Sequence, residues 1–272
     1  MRDRKLEGFA LNVRHQLVRA RRKALRVVGR SPAGREEALE SFARQVDPDQ
    51  MQAYAGSALA RLYYGHQGRL AYKWDHYLPI YERHLARYLG SAVRLLEIGV
   101  YQGGSLQLWR KYFGPSAIIF GIDVNPRCRA VDDPGVCIRI GSQADPKFLK
   151  SVIREMGRVD IVIDDGSHLA SEQRVCFQTL FPLLAPNGVY IVEDLHTSYW
   201  SDYEGGVRRG GTFIEEMKVL IDDMHAWYSE VEQRVADAHK TVDGIHFYDS
   251  VVVVEKRPKE RPFHTKVGVP SF

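Results

Sequence analysis

The spacing of apolar positions changes near residue 93. Upstream of it they recur every three or four residues. In 6–28, Leu6, Phe9, Val13, Leu17, Ala20, Ala24 and Val27 make one stripe, and Arg14, Arg19, Arg21, Arg22, Lys23 and Arg26 fill much of the rest. That pattern predicts an amphipathic helix. Gly29–Gly34 then reads as a linker, and 35–90 as helical with breaks at Pro48 and Gly56. From 93 onward, short β-branched runs alternate with helical stretches. Strands are predicted at 93–98, 117–122, 136–140, 160–163 and 189–192, and helices from a cap at Ser105 to about 112, over 145–156 and over 212–238. Runs that are apolar throughout fit a parallel sheet buried on both faces. The last two strands, 245–248 and 251–255, have too short a link for a parallel crossover, so they pair antiparallel. The organisation expected is therefore a basic helix and linker over 1–34, a helical segment over 35–90 that serves as an acceptor lid, and an α/β domain over 91–272.

Composition adds one asymmetry. The net charge of the 272 residues is only +4, but residues 1–35 hold eleven Lys/Arg against two acids, leaving the remainder acidic. A basic amphipathic arm suits an anionic membrane surface, and equally suits docking on the chain's own body or on a dimer mate. An acidic body without an interleaved aromatic platform argues against a nucleic-acid partner. No apolar run is long enough to span a membrane and no secretory signal is visible. Cys128, Cys137 and Cys176 have neither metal nor redox spacing, so a cytoplasmic setting is expected, with peripheral membrane contact through 6–28 left open.

The chemistry lies at the strand ends. Asp160-Ile-Val-Ile-Asp164-Asp165-Gly-Ser-His168 and Val189-Tyr-Ile-Val-Glu193-Asp194 are apolar runs that each close on paired carboxylates. Open α/β sheets bind ligands at the carboxyl ends of their strands. Two such ends bring four acids and His168 towards one crevice. One acid pair is adequately explained as helix or turn caps. Two pairs beside a histidine favour a hard divalent cation, Mg²⁺ or Mn²⁺, as counter-charge. Further upstream, Glu97 precedes a glycine turn, Gly99–Gly104, and Asp123 follows about 20 residues on, placed to accept hydrogen bonds from a ribose diol. The turn lacks the G-x-G-x-x-G order of a dinucleotide site.

Taken together, Leu95-Leu-Glu-Ile-Gly-Val-Tyr-Gln-Gly-Gly-Ser-Leu106, Gly121-Ile-Asp-Val124, Asp164-Asp-Gly-Ser-His168 and Glu193-Asp194 resemble the metal-dependent sugar O-methyltransferases. That family of S-adenosylmethionine (SAM) enzymes includes macrolide deoxysugar methyltransferases and enzymes of actinobacterial glycolipids and polysaccharides. The resemblance covers about 73–256. It implies a Rossmann-like, seven-stranded sheet with a final antiparallel strand, preceded by an N-terminal helical extension. It also implies SAM and Mg²⁺ as cofactors, a saccharide acceptor and a homo-oligomer. By position it makes Asp165, Glu193 and Asp194 the metal ligands and His168 the general base. Glu97, Gly99, Gly103, Ser105, Asp123, Gln143 and Asp164 become cofactor contacts. His66, His76, Tyr77, His196, Tyr199 and Trp200 are candidates to line the acceptor site. A catechol-like acceptor for the same chemistry, or a non-catalytic SAM-binding module, are the alternatives.

Overall fold

The computed structural model describes residues 56–272 apart from 132, 231–234 and 236. The helix expected over 6–28, its linker and the first part of the 35–90 segment lie outside the described residues.

Seven strands form one sheet in the order β3-β2-β1-β4-β5-β7-β6. They are β1 (Arg94–Ile98), β2 (Ile118–Asp123), β3 (Val136–Ile140), β4 (Val159–Asp164), β5 (Leu184–Val192), β6 (Val242–Phe247) and β7 (Val252–Lys256). The first five are parallel to their neighbours. β7 runs antiparallel to both β5 and β6, as its short link to β6 requires. The strand order reverses between β1 and β4, which opens a crevice above their carboxyl ends.

Alternation along each strand divides the core into two layers. Ile161 and Ile163 of β4, Val189 and Ile191 of β5, and Val253 of β7 face one side. There they meet the helices α1 (Ala58–Tyr64), α2 (Leu78–Leu85) and α3 (Gly104–Phe113). Val162, Tyr190, Val192, Val252 and Val254 face the other. They are covered by α4 (Pro146–Met156), α5 (Ala170–Leu180), α6 (Phe213–Met224) and the single turn α7 (Ala238–Thr241). Most of these side chains are fully buried. Each contributes about 1.5–3 kcal/mol of apolar burial, which fixes the central strands and so the positions of their ends.

Three local expectations need correction. The pattern over 35–90 is not helical throughout, because 65–74 form no regular element. Between Arg69 and Lys73 its backbone bonds go to side chains. Arg69 N donates to Gln107 Oε1 (2.9 Å), Lys73 N donates to the Tyr63 hydroxyl (3.1 Å), and that hydroxyl donates to Lys73 O (3.2 Å). The helix expected over 212–238 ends at Met224. The chain folds back there: buried Asp223 accepts from Val235 N (2.8 Å) and Trp227 Nε1 donates to His239 O (3.0 Å). Ser105 does not cap α3. Gly103, at φ 76°, takes the cap position, and the Ser105 hydroxyl donates to Glu97 Oε2 (2.8 Å).

Candidate active site

The site is assembled from the ends of β1, β4 and β5 together with the segment before α2. Gly99, at φ 93°, leaves β1 so close to the β4 turn that a Cβ there would collide with the carbonyl of Asp165. Only glycine allows that approach. Gly104 likewise lets the backbone of Arg69 and Leu70 lie on the first turn of α3. Beyond β4 and β5 the backbone turns sharply: His168 has φ 59° and Asp194 φ 55°. Left-handed conformations are costly outside glycine and are retained where a side chain must be aimed.

Asp165, His168 and Asp194 converge. Their ligand-capable atoms lie within 4.8 Å of one another. His168 Nε2 is 3.8 Å from Asp165 Oδ1 and 3.6 Å from Asp194 Oδ2, while its buried Nδ1 has no hydrogen-bond partner. Tyr77 donates its hydroxyl to Asp194 Oδ1 (2.8 Å). Burial pushes Asp194 up, but His168, His196 and this hydroxyl outweigh it and hold the carboxyl below its ordinary range. Burial and the Asp194 charge raise Asp165.

Glu193 is placed differently. It is buried, and both its oxygens face the ammonium of Lys73, at 2.9 and 2.8 Å. The same Nζ lies 2.5 Å from Asp165 Oδ2 and 3.7 Å from Glu97 Oε1. Burial pulls the Lys73 ammonium down, but Asp165, Glu193 and Glu97 more than compensate and hold it well above its ordinary value. Sequence reasoning missed Lys73. It lies in an irregular segment, and the aromatic residues after it carried the only visible signal.

The cofactor candidates form a second group on the same edge. Glu97 is fully buried; one oxygen accepts from Ser105, and the other, Oε1, has no hydrogen-bond partner. Asp123 accepts from Val100 N (3.0 Å) and Tyr101 N (3.1 Å) through one oxygen and from Asn125 N (2.8 Å) through the other. It therefore shapes the glycine turn, and a carboxylate retains lone pairs for a diol. Gln143 bridges β3 to the β4 turn, accepting from Ser167 N (2.8 Å) and donating to Asp164 Oδ1 (3.2 Å). Burial pushes Asp164 up to about 6.

The acceptor candidates separate. His196 lies 4.7 Å from Trp200 and 6.1 Å from Trp74, ring centre to ring centre. Trp200 reaches Tyr203, which in turn lies 6.4 Å from His168. An aromatic wall thus runs up to the acid cluster, with exposed Tyr199 in the same turn. His76 joins it, tilted against Trp74 and edge-on to Tyr77. Tyr77 is buried and serves Asp194 instead of facing an acceptor. His66 bonds Arg69 O (2.8 Å) within the loop on α3.

The donor set fits both expected cofactors. Three carboxylates, Asp165, Glu193 and Glu97, share one ammonium and Asp194 adds a fourth negative charge beside them, so the group is short of positive charge. Asp165 Oδ1 and Asp194 Oδ2 are hard oxygen donors of the kind magnesium takes. Glu97 Oε1, which accepts no hydrogen bond and has only the Lys73 ammonium at 3.7 Å, is an acceptor suited to an amino group.

No family model matches the chain. It is 39% identical over 238 residues to the 8-demethyl-8-(2-methoxy-alpha-L-rhamnosyl)-tetracenomycin-C 3'-O-methyltransferase of Streptomyces olivaceus, across 80% of this chain and 59% of that protein. It is 35% identical over 192 residues to the mycinamicin VI 2''-O-methyltransferase of Micromonospora griseorubida, across 66% and 48%. The chain therefore spans about half to three-fifths of the length of these relatives. Among solved structures, MycE methyltransferase from the mycinamycin pathway in complex with Mg and SAH matches with a TM-score of 0.66 and 33% identity, over 74% of this chain and 54% of MycE. Its complex with Mg, SAH and mycinamycin VI matches at 0.65 and 32%, over 79% and 55%. By sequence and by its Rossmann-like fold, the chain belongs with the SAM-dependent sugar O-methyltransferases of the macrolide and tetracenomycin pathways.

Proposed function

We propose that this chain transfers a methyl group from SAM to a hydroxyl of a sugar, with a divalent cation at Asp165, Asp194 and Glu193 and His168 as general base. The observation that carries the reading is the convergence of Asp165, Asp194 and His168 beside the aromatic wall, one strand away from Glu97. The relatives' substrates support the acceptor class, since those proteins methylate glycosylated natural products. An acceptor in polysaccharide or glycolipid synthesis belongs to the same chemical class.

Each residue has a defined task. Asp123 would receive the cofactor's ribose and Glu97 its amino group, while Gly99 lets the β4 turn pack against the end of β1. The aromatic rings from Trp74 to Tyr203 give a sugar's apolar face something to pack on. Asp165 and Asp194, steadied by Tyr77, hold the metal end. His168 takes the proton of the reacting hydroxyl at Nε2, the ring nitrogen facing both carboxylates. When bound, magnesium supplies a Lewis acid that lowers the hydroxyl's pKa, and SAM supplies the electrophilic methyl. Fixing the two reactants in line provides much of the acceleration.

Incubation with isotopically labelled SAM, a panel of mono- and oligosaccharides, and either magnesium or EDTA tests the reading. Label in a saccharide with magnesium and none with EDTA is expected. Transfer to catechols alone, or full transfer in EDTA, overturns the sugar or the metal part respectively.

A further inference from the structure

Lys73 occupies a place that the proposed chemistry does not explain. Its ammonium takes both oxygens of Glu193 and one of Asp165, two of the three residues assigned above to the metal. It is held there. The side chain is only 5% exposed, and its backbone is clamped on both sides by the Tyr63 hydroxyl. Asp194 is different, because its bonded partner is the Tyr77 hydroxyl. A divalent ion arriving at the crevice therefore finds Asp165 Oδ1 and Asp194 Oδ2 facing it, while Glu193 is already committed to another cation.

We propose that Lys73 is a positioning residue, a tethered counter-ion that competes with the divalent cation for Asp165 and Glu193 and thereby sets the metal affinity of the site. This rests on the metal reading given above. The physical case has two parts. Without a metal, four carboxylates brought together by β1, β4 and β5 would repel one another, and one buried ammonium keeps the strand ends assembled. With a metal, the same ammonium is a like charge a few ångströms away and must release part of its carboxylate shell. The result is a site that stays formed when empty and holds its ion loosely. A lysine that only braced the fold would affect stability equally with and without metal and leave affinity unchanged.

The test uses the full chain, Mn²⁺ as probe and electron paramagnetic resonance of free Mn²⁺ as readout, with thermal midpoints in EDTA and in saturating Mn²⁺. Lys73→Met preserves length and removes charge. It is expected to bind Mn²⁺ about tenfold more tightly or better, since a buried like charge bonded to two of the ion's assigned ligands would oppose the ion by at least that factor. Its midpoint should fall in EDTA, and the gap between the two midpoints should widen. Lys73→Arg, which keeps the charge, should stay near the wild-type affinity. If wild type binds Mn²⁺ and Lys73→Met binds it equally or more weakly, the competition is refuted while the metal reading stands. If neither binds, both fail. Should Lys73→Met be unfolded in EDTA, circular dichroism follows it on Mn²⁺ addition. Refolding with a midpoint below the wild-type dissociation constant supports the proposal, and no refolding at any Mn²⁺ concentration overturns it.

Discussion

Two places in the described residues gather histidine and carboxylate side chains closely enough to hold an ion: Asp165–His168–Asp194 above β4 and β5, and His84–His246–Glu255 between α2 and the β6–β7 pair. They differ in what remains unsatisfied. In the second cluster every member is engaged. His84 Nε2 pairs with the Tyr248 hydroxyl at 2.9 Å, and Glu255 faces His84 at 3.5 Å and His246 at 3.2 Å. Arg87 donates to the same carboxylate at 2.9 Å, so the cation is already supplied. Neither His84 nor His246 has a positive φ, nor does Glu255. In the first cluster His168 and Asp194 are held in left-handed backbone, His168 Nδ1 has no partner, and negative charge exceeds positive. Residue type is much the same in the two clusters; unsatisfied valence on left-handed backbone is what marks the first as the candidate centre.

The largest effect expected is at Asp165. Asp165→Ala should lower methyl transfer by roughly 10³-fold or more, since metal assistance is worth several kcal/mol. SAM binding, followed by calorimetry, should persist. Retained turnover in this variant would dissolve the contrast between the two clusters. His168→Ala is expected to cost about 10²–10⁴-fold in turnover with SAM affinity unchanged. A near-wild-type rate would move the base to His196, which bonds Ser250 Oγ at 2.6 Å and whose pKa burial lowers.

Asp123→Asn sharpens the comparison from the cofactor side. It should weaken SAM binding by about ten- to a hundredfold, the range of charge-assisted hydrogen bonds, and change turnover at saturating SAM much less. Glu255→Gln should leave turnover intact and cost about 1–3 kcal/mol of stability in chemical denaturation. A loss of activity without loss of stability would give the second cluster a part in the chemistry.

The smallest effect is a pH dependence. Burial and the neighbouring His246 lower His84, so the unfolded chain binds its proton more readily than the folded one. Burial pushes Glu255 up, but His246, Arg87 and His84 prevail and lower it, which acts in the same sense. The stability from His84 is present above its unfolded pKa near ~6.5 and is lost as pH falls through that value towards the folded one. The part from Glu255 is lost further into acid. The thermal midpoint should fall accordingly on acidification, and His84→Phe should flatten the upper part of that fall.

Much of this molecule is readable from local pattern. Apolar runs mark the strands, and all seven were legible, although the expected 189–192 covers only the C-terminal part of β5, which starts at Leu184. Acids placed just after such runs must emerge at the sheet edge, so Asp123, Asp164, Asp165, Glu193 and Asp194 could be located before any coordinates. The glycine turn was legible as well, but that Gly99 admits the carbonyl of Asp165 from the neighbouring turn was not. Only tertiary structure could decide which acid meets which partner. Lys73 reaches Asp165 and Glu193 across 92 and 120 residues, from an irregular segment in which its own backbone bonds go to the Tyr63 hydroxyl and leave no periodic trace. The end of α6 depended likewise on Asp223 and Trp227 finding partners beyond the helix. Spacing along the chain encodes which face a side chain takes. The pairing of charges depends on how the segments fold onto one another.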